Sequence, residues 1–393
     1  MMRKIILKAI IMVLLVSASV TPVFGNELSA VWSRIYNTTE QLGAKLVVMQ
    51  NIVDLHNRDM EPVITDALKE IIYTRDESLS FSERQEHNDL IRIMVMELGN
   101  LKAVDAAPDI YEVVKITEDD FLRSVAIVGL GTAGARDYAD EIAEFLRKLN
   151  LEIIIIENNE KRESLVNACI LALERLKHPD GFEPVFYASV GRYSRDSVAK
   201  ADRALKNMLE DPTDLLIKIV KDDTPFSIRL AALEVENRSA ASAERKTELA
   251  NTAIEVSLIY NAVTPSEREY QTRTKVRACE MIRDLGVANQ AAVQWLDLML
   301  NSSENVNEIV ICLQALGTYS SDEAVAVLSK YLDFHNERRA LGILYKDERA
   351  IRECINALGS SGNQNAKPSL RMVEFSNWSN QTIRMAKNAA KNL

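Results

Sequence analysis

IVICLQALGTYSSDEAVAVLSKYL, residues Ile309–Leu332, holds two short apolar stripes separated by a glycine. Ile309, Cys312, Leu313 and Leu316 fall at i, i+3, i+4 and i+7, one face of a helix, and Gly317 stands where a left-handed residue would end it. Ser320, three residues before Glu323, predicts a capping box, and Ala324, Val327, Leu328 and Tyr331 repeat the stripe on a second helix. Neither stripe is buried by one partner alone. Each helix must lie against its mate and against neighbouring pairs.

The first-helix quartet recurs as Ile91, Met94, Val95, Leu98; as Val166, Cys169, Ile170, Leu173; as Ala278, Met281, Ile282, Leu285; and as Ile351, Cys354, Ile355, Leu358. Arg123, Ala126, Ile127 and Leu130 keep three of the four positions. Glycine follows the last leucine at Gly99, Gly131, Gly286, Gly317 and Gly359, which predicts a helix stop copied with the stripe. The anchor leucines are 32, 43, 112, 31 and 42 residues apart, and the long gap has room for two further units, at Arg195–Lys221 and Pro225–Tyr260. A drifting period of about 30 to 45 residues with two helices per copy predicts an α-solenoid.

The chain resembles the HEAT-repeat family, most specifically in Ala315-Leu316-Gly317 and Ala357-Leu358-Gly359 with Arg352 at the head of the last first helix, over about residues 38–375. The resemblance implies an all-α fold, a right-handed solenoid of about eight helix pairs closed by caps. It also implies that second helices line a concave surface, here Ala107–Lys115, Asp137–Lys148, Gln290–Leu300 and Asp322–Leu332. Tyr111, Tyr138, Trp295 and Tyr331 on these stretches are candidate protein-binding anchors, because aromatic side chains dominate interface energetics. Core packing at helical spacing is the other reading of each. HEAT-like proteins are mostly scaffolds, so the resemblance names no ligand.

Residues 1–25 read as an export signal: Arg3, Lys4 and Lys8 precede the apolar core Ala9–Val16, and cleavage is expected after Gly25. Residues 26–75 are expected to form an N-terminal cap and first helix pair, 76–375 the repeats, and 376–393 a capping helix, Trp378–Leu393. Pro62, Pro108 and Pro368 mark first turns of second helices, Gly362–Asn365 and Lys177–Pro184 read as turns, and Asn237–Arg245 and Asn261–Arg268 as longer loops. The leader points to the periplasm of a bacterium first and an extracellular site second, so the sequons at Asn37, Asn237, Asn301, Asn377 and Asn380 read as chance. No stretch beyond the leader has transmembrane length.

The formal charge of −10 becomes −13 without the leader, which carries three basic and no acidic residues. That balance argues against nucleic acid, whose phosphates need Lys and Arg. Gly129, Gly131 and Gly134 stand in G-x-G-x-x-G spacing, between an apolar run and a later one at Ile153–Ile156 that is followed by Glu157. The order suits a dinucleotide enzyme, yet Gly131 also falls in register with the repeat glycines, and no further βαβ unit follows. Leu151–Glu157 itself favours a strand, or an insertion packed on the solenoid. Cys169, Cys312 and Cys354 share one quartet position with Cys279 out of register, which predicts free buried thiols, since neighbouring helices hold such positions about 8–10 Å apart. His56, His87, His178 and His335 form no pair at ligand spacing, so no metal, cofactor or catalytic constellation is expected. The function expected is a non-enzymatic envelope scaffold that binds another protein, favouring a basic partner. The alternatives are the dinucleotide enzyme and a passive spacer.

Overall fold

The computed structural model describes residues 25–73, 79–151, 159–287 and 289–393. Residues 1–24 of the expected leader 1–25, and the tract 152–158 with its four isoleucines, lie outside the described residues. Among the described residues every regular element is helical, and the chain divides after Ala204 into two compact units.

In the first unit α1 (Gly25–Asn37) precedes four helix pairs: α2 and α3 (Leu42–Val53, Glu61–Ile72), α4 and α5 (Phe81–Asn100, Ala107–Ile116), α6 and α7 (Asp120–Ala133, Ala139–Leu151), α8 and α9 (Asn159–Leu176, Phe182–Val190). The first helices α2, α4, α6 and α8 stack in a row, and the second helices α3, α5 and α7 each pack on the first helix of the following pair. Helix α10 (Arg195–Met208) crosses the dividing point. The second unit holds α11 (Thr213–Lys221), then α12 and α13 (Phe226–Arg238, Ala243–Ile259), α14 and α15 (Pro265–Leu285, Gln290–Ser302), α16 and α17 (Val306–Leu316, Asp322–Ala340), α18 and α19 (Arg349–Ser360, Lys367–Met372), and α20 (Asn380–Asn392). Helices α12, α14, α16, α18 and α20 form its row of first helices. Among the described residues each unit is thus an α-solenoid segment of four complete pairs.

The quartets are the core. Met94, Val95, Leu98, Ala126, Ile127, Leu130, Ile170, Leu173, Leu313, Leu316, Ile355 and Leu358 are all buried. Leu285 and Ile309, at quartet edges, are half-buried. Pro62, Pro108 and Pro368 occupy first turns of second helices, where a missing N–H costs nothing. All four cysteines are free and buried. Cys312 donates its thiol to the Leu296 carbonyl and Cys354 to that of Leu328, both at 3.2 Å, so the shared position is a small polar contact to the preceding second helix.

The glycines after the anchor leucines differ from expectation. Gly286 alone is left-handed and ends its helix, whereas Gly317 has φ −67° and Gly99, Gly131 and Gly359 lie inside helices. They are contact points between successive first helices. A Cβ on Gly131 would lie 2.5 Å from Ala172 Cα, and one on Gly317 or Gly359 would lie 2.8 Å from Ala357 or Ala389 Cβ. The left-handed stop comes three residues after the packing glycine, at Lys102, Gly134 and Gly362. Three further expectations are corrected. Ser321, not Ser320, caps α17 by accepting from the Ala324 amide. The expected loops at Asn237–Arg245 and Asn261–Arg268 are shorter, because α13 begins at Ala243 and α14 at Pro265. Trp378 is buried with its Nε1 donating to Asn336 at 2.8 Å, so the closing helix starts after it, at Asn380.

A regular device escaped the sequence reading. Side chains of first helices donate to the C-terminal carbonyls of the preceding second helix: His87 to Ile71, Arg123 to Val114 and Thr117, Arg162 to Leu149, Arg229 to Val220 and Asp222, Gln271 to Ser257 and Tyr260. These carbonyls have no partner within their own helix, and the cross-pair donors satisfy them.

Candidate functional site

The turns that start second helices decide what the second-helix face of the first unit presents. Arg136–Tyr138 forms a 3-10 turn before α7, which sets Tyr138 against Tyr111 of α5 with ring centroids 4.9 Å apart and planes at 42°. Two of the four candidate anchors therefore meet as one aromatic pair, and both are half-exposed. Tyr111 borders a groove of about 610 Å³ between α5 and α7, floored by Val114, Ile127, Ile142 and Phe145.

Carboxylates surround the pair. Desolvation and then the nearby Glu141 push the Tyr111 hydroxyl up, and the same causes act on Tyr138, with Asp109 and Asp137 adding to it. The basic residues at the rim are engaged: Lys115 with Glu112, Lys148 with Glu144 at 3.7 Å, Arg123 with Asp120 at 3.2 Å. Lys115 also lies 5.6 Å from the Tyr111 ring centre, so the ring already receives a cation on one side.

At the α7–α9 edge the structure brings Asp140 of α7 to His178 and Asp180 in the turn before α9. Asp140, His178 and Asp180 place one ligand-type atom each within 4.8 Å of one another. The Asp180 contact holds the Asp140 carboxyl above the usual carboxylate range. No sequence spacing shows this cluster, because it closes through the packing of α7 on the turn before α9.

The other two candidate anchors lie in the second unit. Trp295 in α15 is half-buried. Tyr331 in α17 belongs to an aromatic chain: its ring is 4.4 Å from His335, which lies 5.3 Å from Tyr345, which lies 5.2 Å from Trp378. Burial pushes the Tyr331 hydroxyl up, consistent with packing rather than presentation.

His335 Nδ1 lies 2.7 Å from the Tyr345 hydroxyl, which donates when the imidazole is neutral. Burial, then the Arg338 charge, lowers the His335 pKa to about 4. The unfolded chain, near 6.5, takes up a proton first, so this contribution is complete above that value and is lost as pH falls from about 6.5 to about 4. Urea unfolding should therefore show the advantage of the native chain over His335→Phe shrinking by about 1 kcal/mol between pH 7.5 and 5.5, after allowing for partial solvent exposure. A pH-independent difference would show that the imidazole is not held neutral.

The dinucleotide reading fails on geometry. Ser124–Ala133 is helical, Gly129 and Gly131 face α4 and α8, and Gly134 closes α6 with φ +84°. A fingerprint needs a strand before its glycines, and none precedes them here.

No helix of the described residues is long and apolar enough to cross a membrane. No protein-family model matches the sequence, and no curated protein matches it. Among solved structures, the chain is similar over 92% of its length to an engineered protein, 98% of which is covered, at 13% identity and a TM-score of 0.36. It is similar over 94% of its length to the UNC-45 chaperone, described as binding and folding muscle myosin, at 11% identity and a TM-score of 0.33. It spans 57% of that chaperone chain.

Proposed function

We propose that the chain is an exported, non-enzymatic HEAT-like scaffold of the bacterial envelope that docks a basic segment of another protein on the second-helix face of its first unit. The observation that carries this reading is the half-exposed Tyr111–Tyr138 pair bordered by Glu141, Asp109 and Asp137. An aromatic face with carboxylates at its edge suits a lysine or arginine side chain, which gains cation–π contact and a counter-charge together. A passive spacer would have no reason to leave two tyrosines in contact and half-exposed beside an open groove with a charged rim.

In-cell photocrosslinking from Asp137, followed by fractionation and mass spectrometry, tests it. The expected result is one dominant adduct in the periplasmic fraction, linked through a lysine- or arginine-rich segment and reduced about tenfold by Glu141→Lys, as loss of about 1.4 kcal/mol would produce. An adduct pattern that Glu141→Lys leaves unchanged, or recovery of the uncrosslinked chain alone, would overturn the reading.

A further inference from the structure

Helix α6 carries a second apolar stripe that the repeat does not use. Leu122, Ala126, Ile127 and Leu130 are buried inward. Phe121, Val125, Val128 and Thr132 run along the other side at helical spacing, and no charged residue stands between Arg123 and Arg136. A helix apolar all round belongs in an interior, yet Phe121 is 61% exposed and Met96 of α4 is 50% exposed.

The outer stripe floors an open groove of about 480 Å³ on the first-helix face, between α4 and α8. Small residues, Ser124, Gly129 and Ala168, keep the floor low, and Leu171 continues the apolar lining on α8. One end is cationic. Arg175, in the last turn of α8, bonds the Thr132 hydroxyl and has no carboxylate partner among the described residues. Lys200 and Arg203 of α10 complete the lining; Lys200 is paired with Asp196 at 2.5 Å, and Glu174, the one carboxylate among the described lining residues, is held 3.9 Å from Arg203, so Arg175 is the cation left to meet a ligand carboxylate. The Asn167 carboxamide oxygen in the groove wall has no hydrogen-bond donor.

We propose that this groove docks an amphipathic helix of a partner protein, its apolar side on α6 and acidic residues at the end that meets Arg175. The chemistry is complementary: an apolar floor on α6 between α4 and α8 receives helical side chains, and a cationic end on a net acidic chain selects carboxylates. This surface is independent of the tyrosine pair and opposite to it in charge preference, so the chain would hold two partners of different chemistry.

Fluorescence anisotropy with the full chain tests the proposal. The probe is a labelled peptide of about four helical turns, leucines at i, i+3, i+4 and i+7 and glutamates in its last turn; its twin carries lysines there. The glutamate peptide is expected to bind at least tenfold more tightly than the twin. Arg175→Glu, at an exposed position, should reverse that preference, and Val128→Lys should abolish binding of both. Circular dichroism melting of the two variants shows that each is folded. Equal affinity for the peptides, indifference to Arg175→Glu, or no binding up to about 1 mM would overturn the proposal. So would displacement of the bound peptide by sodium laurate at equal concentration, which would assign the groove to an acyl carboxylate instead.

Discussion

Gly131→Ala should lower stability by about 3 kcal/mol, while Gly134→Ala, three residues on, should cost only about 1 kcal/mol. Alanine is intrinsically better than glycine in a helix by about 1 kcal/mol, so propensity alone predicts the reverse at Gly131. The close approach wins there. The added Cβ would fall 2.5 Å from Ala172 Cα, 2.8 Å from its Cβ and 3.1 Å from its carbonyl oxygen, atoms of a helix backbone that cannot swing aside. Helices α6 and α8 must separate, and the separation reaches Leu130 and Leu173 in the shared core. At Gly134 nothing lies within 4 Å of the added methyl, and only the left-handed φ of +84° is strained. Part of that strain is offset by the less flexible unfolded chain. Thermal unfolding checks the pair. At about 2–4 °C per kcal/mol, Gly131→Ala should lower the midpoint by about 6–12 °C. Equal shifts for the two variants would mean that the glycines act as helix stops, as their place after the anchor leucines first suggests.

That contrast shows where sequence reading stops. The quartets are legible because a 3.6-residue period is local: Ile351, Cys354, Ile355 and Leu358 declare one face without any knowledge of the rest of the chain. The role of Gly131 depends on Ala172, and that of Gly359 on Ala389. A stripe does not say how closely its neighbour approaches. A glycine at a helix end and a glycine at a helix crossing therefore look alike in sequence. The same limit applies to the candidate site. Tyr111 and Tyr138 are legible singly as aromatic residues of second helices, but their contact depends on the 3-10 turn Arg136–Tyr138, which no spacing rule announces. Tyr331 carries the same signal, and it lies half-buried against His335 and its aromatic neighbours. The outer stripe of α6 is legible in the sequence, because a surface helix without charge from Ser124 to Ala133 breaks the amphipathic rule.

The largest single-contact effect in the second unit should come from Lys275→Met. Lys275 of α14 reaches Glu308 of α16 at 2.6 Å, and Ser303 donates to the same carboxylate oxygen at 2.7 Å. The side chains are only 15% and 3% exposed, so the pair sits in the seam between two first helices. Removing the lysine leaves a buried carboxylate with one hydroxyl to solvate it, and the loss should be about 3 kcal/mol. The attraction itself is a different quantity, because both ions were dehydrated to form it. Lys275→Met combined with Glu308→Leu removes the charge as well as its partner and fills the space with apolar atoms, and should return to within about 1 kcal/mol of the native chain. A double-mutant cycle by urea unfolding separates the two cases, with a coupling of about 2–3 kcal/mol expected between the sites. Coupling below about 0.5 kcal/mol would show the pair to be solvated and incidental to the seam. Strong coupling would mean that the repeat row is held in register here by charge as well as by the apolar quartets, since Met281 and Cys312 alone would tolerate a slide of one helix along the other that Lys275 and Glu308 would not.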